Sequence, residues 1–90
     1  MKLEYDEDKR ALTLANRGLD FAHAGKLFGG RTLTVEDDRF DYGEPRFQTI
    51  GRIGRKTALV VWTPRGEARR IISMRECNVR ERQRYESALG

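Results

Sequence analysis

Ninety residues with a formal net charge of +4 make one domain, 1–90, because dividing the chain would leave neither half enough apolar surface for a self-supporting core. The single cysteine, Cys77, excludes an intrachain disulfide and offers no thiolate cluster for a metal. No stretch has the apolar core of a signal peptide or the roughly 20 apolar residues of a membrane span, so the expectation is a cytoplasmic protein in a reducing compartment.

Lys2-Leu3-Glu4-Tyr5 alternates and suits a short edge strand. Asp6 is placed to cap a helix over residues 7–17: Glu7 and Asp8 lie in the first turn, Ala11, Leu12, Leu14 and Ala15 form an apolar stripe, and Gly18 follows as the C-terminal stop. Asp20 is a second N-cap. Phe21, Ala24, Gly25 and Phe28 then fall at i, i+3, i+4 and i+7, the spacing of one buried helical face, and Gly29-Gly30 ends that helix. From Arg31 the period changes to two, with Leu33 and Val35 alternating with Thr32, Thr34 and Glu36.

The acidic segment Glu36 to Pro45 reads as a loop. Three more strands are expected over 46–53, 57–64 and 68–75, with Gly51, Gly54-Arg55 and Pro64-Arg65-Gly66 as turns. Such short connections imply an antiparallel meander of about four strands. Ala58-Leu59-Val60-Val61-Trp62 is apolar on both faces and should be central. Asn78 and Glu81 form a capping-box pattern that opens a last helix to about residue 88. The sum is an α+β fold: two N-terminal helices, the sheet and a C-terminal helix, with helices on one face and the other free for a ligand. On the last strand, alternation sends Arg69, Ile71, Ser73 and Arg75 one way and Arg70, Ile72 and Met74 the other.

The charge is unevenly spread. Residues 1–44 carry 7 Lys/Arg against 10 Asp/Glu, a balance of −3, whereas residues 45–90 carry 11 against 4, a balance of +7. Ten of those 11 are arginine, whose planar fork holds phosphate bidentately and stacks on bases. The carboxyl half is thus the half suited to a polyanion.

The ordered pieces Tyr5-Asp6-x-x-Lys9, Gly18-Leu19-Asp20-Phe21-x-x-Ala24, Glu44-x-Arg46-Phe47, Ile50-Gly51, Leu59-Val60-Val61, Arg70-Ile71-Ile72-Ser73-Met74-Arg75 and Arg80-Glu81-Arg82-x-x-Tyr85-Glu86 resemble the BrnT toxins of type II toxin–antitoxin systems. The resemblance runs over almost the whole chain. It implies a RelE-like ribonuclease that arrests translation. Its partner would be a BrnA-like antitoxin with a ribbon-helix-helix DNA-binding part, in a complex that allows a toxin homodimer. This chain departs from the family pattern at Tyr5, where Trp is common, at Asn16-Arg17-Gly18 in place of Lys-His-Gly, and at Met74-Arg75-Glu76-Cys77 in place of Ala-Arg-x-Ala.

RNA cleavage by a 2′-hydroxyl needs a proton acceptor, charge stabilisation at phosphorus and a proton for the leaving oxygen. Arg46, Arg70 and Arg75 are the candidates for charge stabilisation, with Glu44 and Lys9 as further catalytic candidates; the alternative is that one or two of these arginines simply pair with Glu44, Glu67 or Glu81. Glu81 and Tyr42 are further possible bases, but a carboxylate beside guanidinium groups is a weakened base. Arg52, Arg55, Arg69, Arg80 and Trp62 are candidates for RNA binding. Trp62 reads more readily as core, and Arg80 as part of a solvated helix face. His23, the only histidine, flanks the apolar stripe, and no His/Cys/Asp cluster has metal-ligand spacing, so neither metal nor cofactor is expected. The alternative is a non-catalytic nucleic-acid-binding or antitoxin-partner module of the same fold.

Overall fold

The computed structural model describes residues 1–89. In chain order it has β1 (Lys2–Glu4), α1 (Glu7–Arg17), a 3₁₀ turn (Phe21–His23) running into α2 (Ala24–Phe28), β2 (Leu33–Glu36), β3 (Phe47–Ile53), β4 (Lys56–Arg65), β5 (Ala68–Glu76) and α3 (Val79–Leu89). The caps are those the sequence predicts. The Asp6 carboxylate accepts from the Asp8 and Lys9 amides at 2.8 and 3.2 Å. Asp20 accepts from Ala22 at 2.9 Å, and Asn78 and Glu81 cap each other reciprocally at 2.8 and 3.0 Å.

The sheet has five strands in the order β1-β5-β4-β3-β2, one more than the predicted meander. The addition is β1, which pairs parallel with β5, Lys2 opposite Ala68 and Glu4 opposite Arg70. The sheet is therefore mixed, with an antiparallel meander carrying one parallel edge. Parallel pairing needs a long crossover, which here comprises everything from α1 to β4. Both tight hairpins use a glycine first: Gly54 and Gly66 have φ of 59° and 58°, and the strands resume at Lys56 and Ala68, as type II′ turns allow. Gly51 is not a turn. It lies inside β3 opposite Ala58, where a Cβ would come within 2.8 Å of the Leu27 side chain, so its missing side chain lets α2 seat on the sheet.

Central β4 is buried from Thr57 to Thr63, as a strand covered on both faces must be. On one face Leu19, Phe21, Ala24 and Leu27 pack on Ala58, Val60, Trp62, Ile71 and Met74. On the other, Ile50, Leu59 and Val61 pack with Cys77 and Tyr85. The second face is therefore not free along its whole length, because α3 covers its β2–β3 end. Tyr85 donates to the Arg31 carbonyl at 2.8 Å, and the Arg31 guanidinium donates to the Leu89 carbonyl.

One irregularity decides the faces of β5. Val61 opposes Ser73 and Trp62 opposes Ile71, which leaves Ile72 as the extra residue of a β-bulge, with two side chains on one face. Met74, Ile71 and Arg69 point to the α2 face. Arg75, Ser73, Ile72 and Arg70 point to the α3 face. Strict alternation would have separated Arg70 from Arg75; the bulge puts them on the same face.

Candidate functional site

Beyond the reach of α3, the α3-side face ends in a polar cavity of about 250 Å³ at the junction of α1, the β2–β3 loop, the end of β4 and β5. Four of the five predicted catalytic residues line it: Lys9, Glu44, Arg46 and Arg70. They come from three separate parts of the chain. Lys9 stands in the first turn of α1, Glu44 and Arg46 close the loop ahead of β3, and Arg70 is on β5. Arg46 precedes Phe47, which opposes Trp62 on the α2 face, so Arg46 projects to the other side. Arg70 opposes Thr63, whose hydroxyl donates to the Pro45 carbonyl at 2.6 Å, tying the loop end to the central strand.

Sequence reading missed two further cavity residues. Arg65, assigned to a turn, is the last residue of β4 and lies two residues beyond Thr63 on the same face. Asp6 lines the wall but is committed to capping α1. Hairpin register was the signal for Arg65: a two-residue Gly66-Glu67 turn extends β4 through Arg65. Tyr42, a possible base by sequence, instead lies under a guanidinium, with Arg46 Cζ 3.9 Å from its ring centroid.

Four cations and two carboxylates line the cavity. Glu44 bridges two of the cations, at 3.4 Å from Arg46 and 3.5 Å from Arg65, and Arg70 reaches Glu4 at 3.2 Å. These contacts are long for charge-assisted bonds, and each guanidinium keeps donors free. The loop behind them is pinned by Asp37, whose side chain is 1% exposed. It accepts from Arg39 at 2.8 and 2.9 Å, and its amide donates to the Arg46 carbonyl at 2.7 Å. The Arg39 hydrogen bonds hold the Asp37 carboxyl down to about 2 against the cost of burial.

Arg75 lies elsewhere. It makes a two-pronged pair with Glu81, both bonds 2.7 Å, which joins β5 to the first turn of α3. That bond holds Glu81 below the usual carboxylate range and raises Arg75 further. The fork that would hold a phosphate is occupied.

The RNA-binding candidates are not brought together. Trp62 is a core residue, 9% exposed, stacked on Phe47 at 5.0 Å and donating to Thr49 at 2.8 Å; its ring is not available to a base. Arg69 lies on the α2 face, 4.4 Å above the Trp62 ring and 4.5 Å above Phe28, where it lids the core. Arg52 is exposed beside α3, Arg55 in the β3–β4 turn and Arg80 on α3. His23 is exposed. Cys77 is buried, which pushes its thiol up to about 11, an inert group rather than a nucleophile. Among the described residues, no three of His, Cys, Asp and Glu are grouped to hold a metal ion.

Compared with known families, residues 5–81 match the family model described as "Ribonuclease toxin, BrnT, of type II toxin-antitoxin system". No curated protein matches the chain.

Proposed function

Because the chain belongs to the BrnT family of ribonuclease toxins of type II toxin–antitoxin systems, we propose that it cuts RNA without a metal at the cavity formed by Lys9, Glu44, Arg46, Arg65 and Arg70. The observation that carries this reading is the convergence of four cations on one cavity, together with Glu44, a carboxylate that is not engaged in capping a helix. Arg46, Arg65 and Arg70 hold the scissile phosphate and stabilise the added negative charge at phosphorus, with Lys9 contributing from the helix side. Glu44, facing the same cavity, receives the 2′-hydroxyl proton. Lys9 is the cavity group with a proton to give to the departing 5′-oxygen. Metal independence is supported by the make-up of the site, in which cations from the chain occupy the place that an activating ion would fill.

RNA cleavage is how such a toxin would arrest translation. A type II toxin has a protein antitoxin as partner, here proposed to be BrnA-like, with the toxin pairing as a homodimer within that complex. No helix among the described residues is long and apolar enough to cross a membrane, and the cytoplasm is the proposed location.

The test is incubation of purified protein with structured RNA in EDTA, beside an Arg70→Ala variant. Fragments ending in 2′,3′-cyclic phosphate, lost in the variant, are the expected result. Cleavage undiminished by Arg70→Ala removes this cavity from the chemistry. Binding that weakens with salt, without cleavage, favours a non-catalytic RNA-binding module. That second reading is favoured by one observation: Arg17 stands where the family commonly has histidine, and it is spent on a 2.9 Å bond to the Met74 carbonyl.

A further inference from the structure

Helix α1 is laid on the sheet with its amphipathic pattern reversed. Ala11, Leu12, Leu14 and Ala15 are all exposed, Leu12 at 62% and Leu14 at 45%, and no residue of the helix is buried. The side turned toward β5 is mostly polar: Lys9, Thr13, Asn16 and Arg17 fall at i, i+4, i+7 and i+8, with the half-outward Leu12 at its border. Hydrogen bonds hold the helix in place, Arg17 to the Met74 carbonyl and Arg10 to Asp20 at 2.7 and 3.1 Å. Under hydrophobic packing alone the helix would rotate to bury its leucines. Its polar side instead walls an open seam of about 340 Å³ against Ile72 and Ser73.

This seam continues the cationic cavity, since Lys9 and Ile72 line both. The β5 bulge shapes its floor by turning Ile72 and Ser73 to the same face, an apolar side chain next to a hydroxyl. Leu12 lines it from the helix, and Thr13 and Asn16 supply a hydroxyl and an amide. Apolar walls with a few convergent donors and acceptors, at a volume within the about 300–1,000 Å³ of ligand pockets, are the features of a small-molecule subsite.

We propose that the seam between α1 and β5 is a nucleobase subsite, which takes the unstacked base of the nucleotide next to the phosphate held by Arg46 and Arg70. Single-stranded RNA is read in this way, with the base face on apolar side chains and its edge on side-chain amides and hydroxyls. Leu12 and Ile72 contact the base face, and Asn16 reads its edge with one donor and one acceptor. Ser73 and Thr13 complete the set. The proposal rests on the RNA-cleavage reading and adds a preference for one base at one position beside the cut.

The experiment uses short RNAs with one cleavage site that differ only at the flanking nucleotide, cut by the wild-type chain, Asn16→Ala and Ser73→Ala. Alanine is the better helix former, so Asn16→Ala does not endanger α1. Wild-type protein should prefer one base by about 10-fold or more in kcat/KM, in line with the discrimination of a well-placed amide contact. Asn16→Ala should bring that base down to the level of the others, mainly through KM. An active enzyme with the same preference in all three proteins overturns the subsite and leaves the cleavage reading intact. Wild-type protein that cuts none of the RNAs defeats the cleavage reading instead. The seam is then judged by titrating the same strands, as non-cleavable 2′-deoxy analogues, into labelled protein. Base-dependent NMR shifts at the Asn16 side-chain amide and the Ser73 backbone support the subsite, and their absence overturns it.

Discussion

At one end of the α3-side face Arg75 is closed onto Glu81 by two bonds of 2.7 Å, while at the other end Arg46 and Arg65 hold Glu44 at 3.4 and 3.5 Å and Arg70 holds Glu4 at 3.2 Å. The closed end is a joint. Its carboxylate also caps α3, and Cys77 and Tyr85 beside it are buried. The open end is a cavity in which one carboxylate is divided between two guanidiniums. The same side chain therefore serves two purposes, set by the carboxylate that faces it: a short fork-to-fork pair uses the donors a phosphate would need, and a long shared one leaves them available.

The comparison is broken most decisively by exchanging the arginines. Arg70→Ala should lower RNA cleavage by about 100-fold or more, the usual cost of one charge-stabilising donor, with little change in melting temperature, read by single-turnover assay and thermal unfolding side by side. Arg75→Ala should do the reverse. It loses a partly exposed bidentate pair worth about 1–2 kcal/mol and so lowers Tm by several degrees, while the folded fraction keeps its activity. An Arg75→Ala protein that is stable but inactive would return that residue to the chemistry.

Tyr85→Phe probes the closed end alone. It removes the hydroxyl bonded to the Arg31 carbonyl and should cost about 1 kcal/mol in denaturant unfolding, leaving cleavage at the open end unchanged. Loss of cleavage in step with stability would mean that the two ends are coupled.

Acid tests the anchors behind the open end. Asp37, behind the open end, is held down to about 2 by Arg39, and Asp20, which anchors α1, down to about 2 by Arg10. Their folded values lie below the unfolded carboxylate value of about 3.9, so the unfolded chain binds more protons in this window. Their contribution is complete above about pH 4 and is lost as pH falls through about 2. Asp37→Asn should flatten part of that acid limb in unfolding curves recorded from pH 5 to pH 2; an unchanged slope would remove the loop pin from the account.

Much of this was legible in the chain because it depends on neighbours in sequence. Asp6, Asp20 and the Asn78–Glu81 pair announce helix starts through side chains that reach amides two or three residues away, and Gly54 and Gly66 announce hairpins through their own φ. The apolar run Ala58 to Trp62 marks the central strand for the same local reason. Lys9, Glu44, Arg46 and Arg70 were also singled out from sequence, by arginine chemistry and family resemblance, although nothing in their spacing says that they meet.

Three features could be decided only by the tertiary fold. The Ile72 bulge, set by how β5 registers on β4, reverses the face of Arg70 relative to strict alternation and so places it with Arg46 and Arg65. The α1 stripe of Ala11, Leu12, Leu14 and Ala15 looks like a buried face by periodicity, yet bonds from Arg10 and Arg17 to distant partners hold it outward. The fate of Arg75 rests on Glu81, six residues on, being folded back over the sheet by α3. Periodicity and caps are local interactions and can be read from a chain; which guanidinium remains free for phosphate depends on long-range register and packing, which bring together groups that sequence keeps apart.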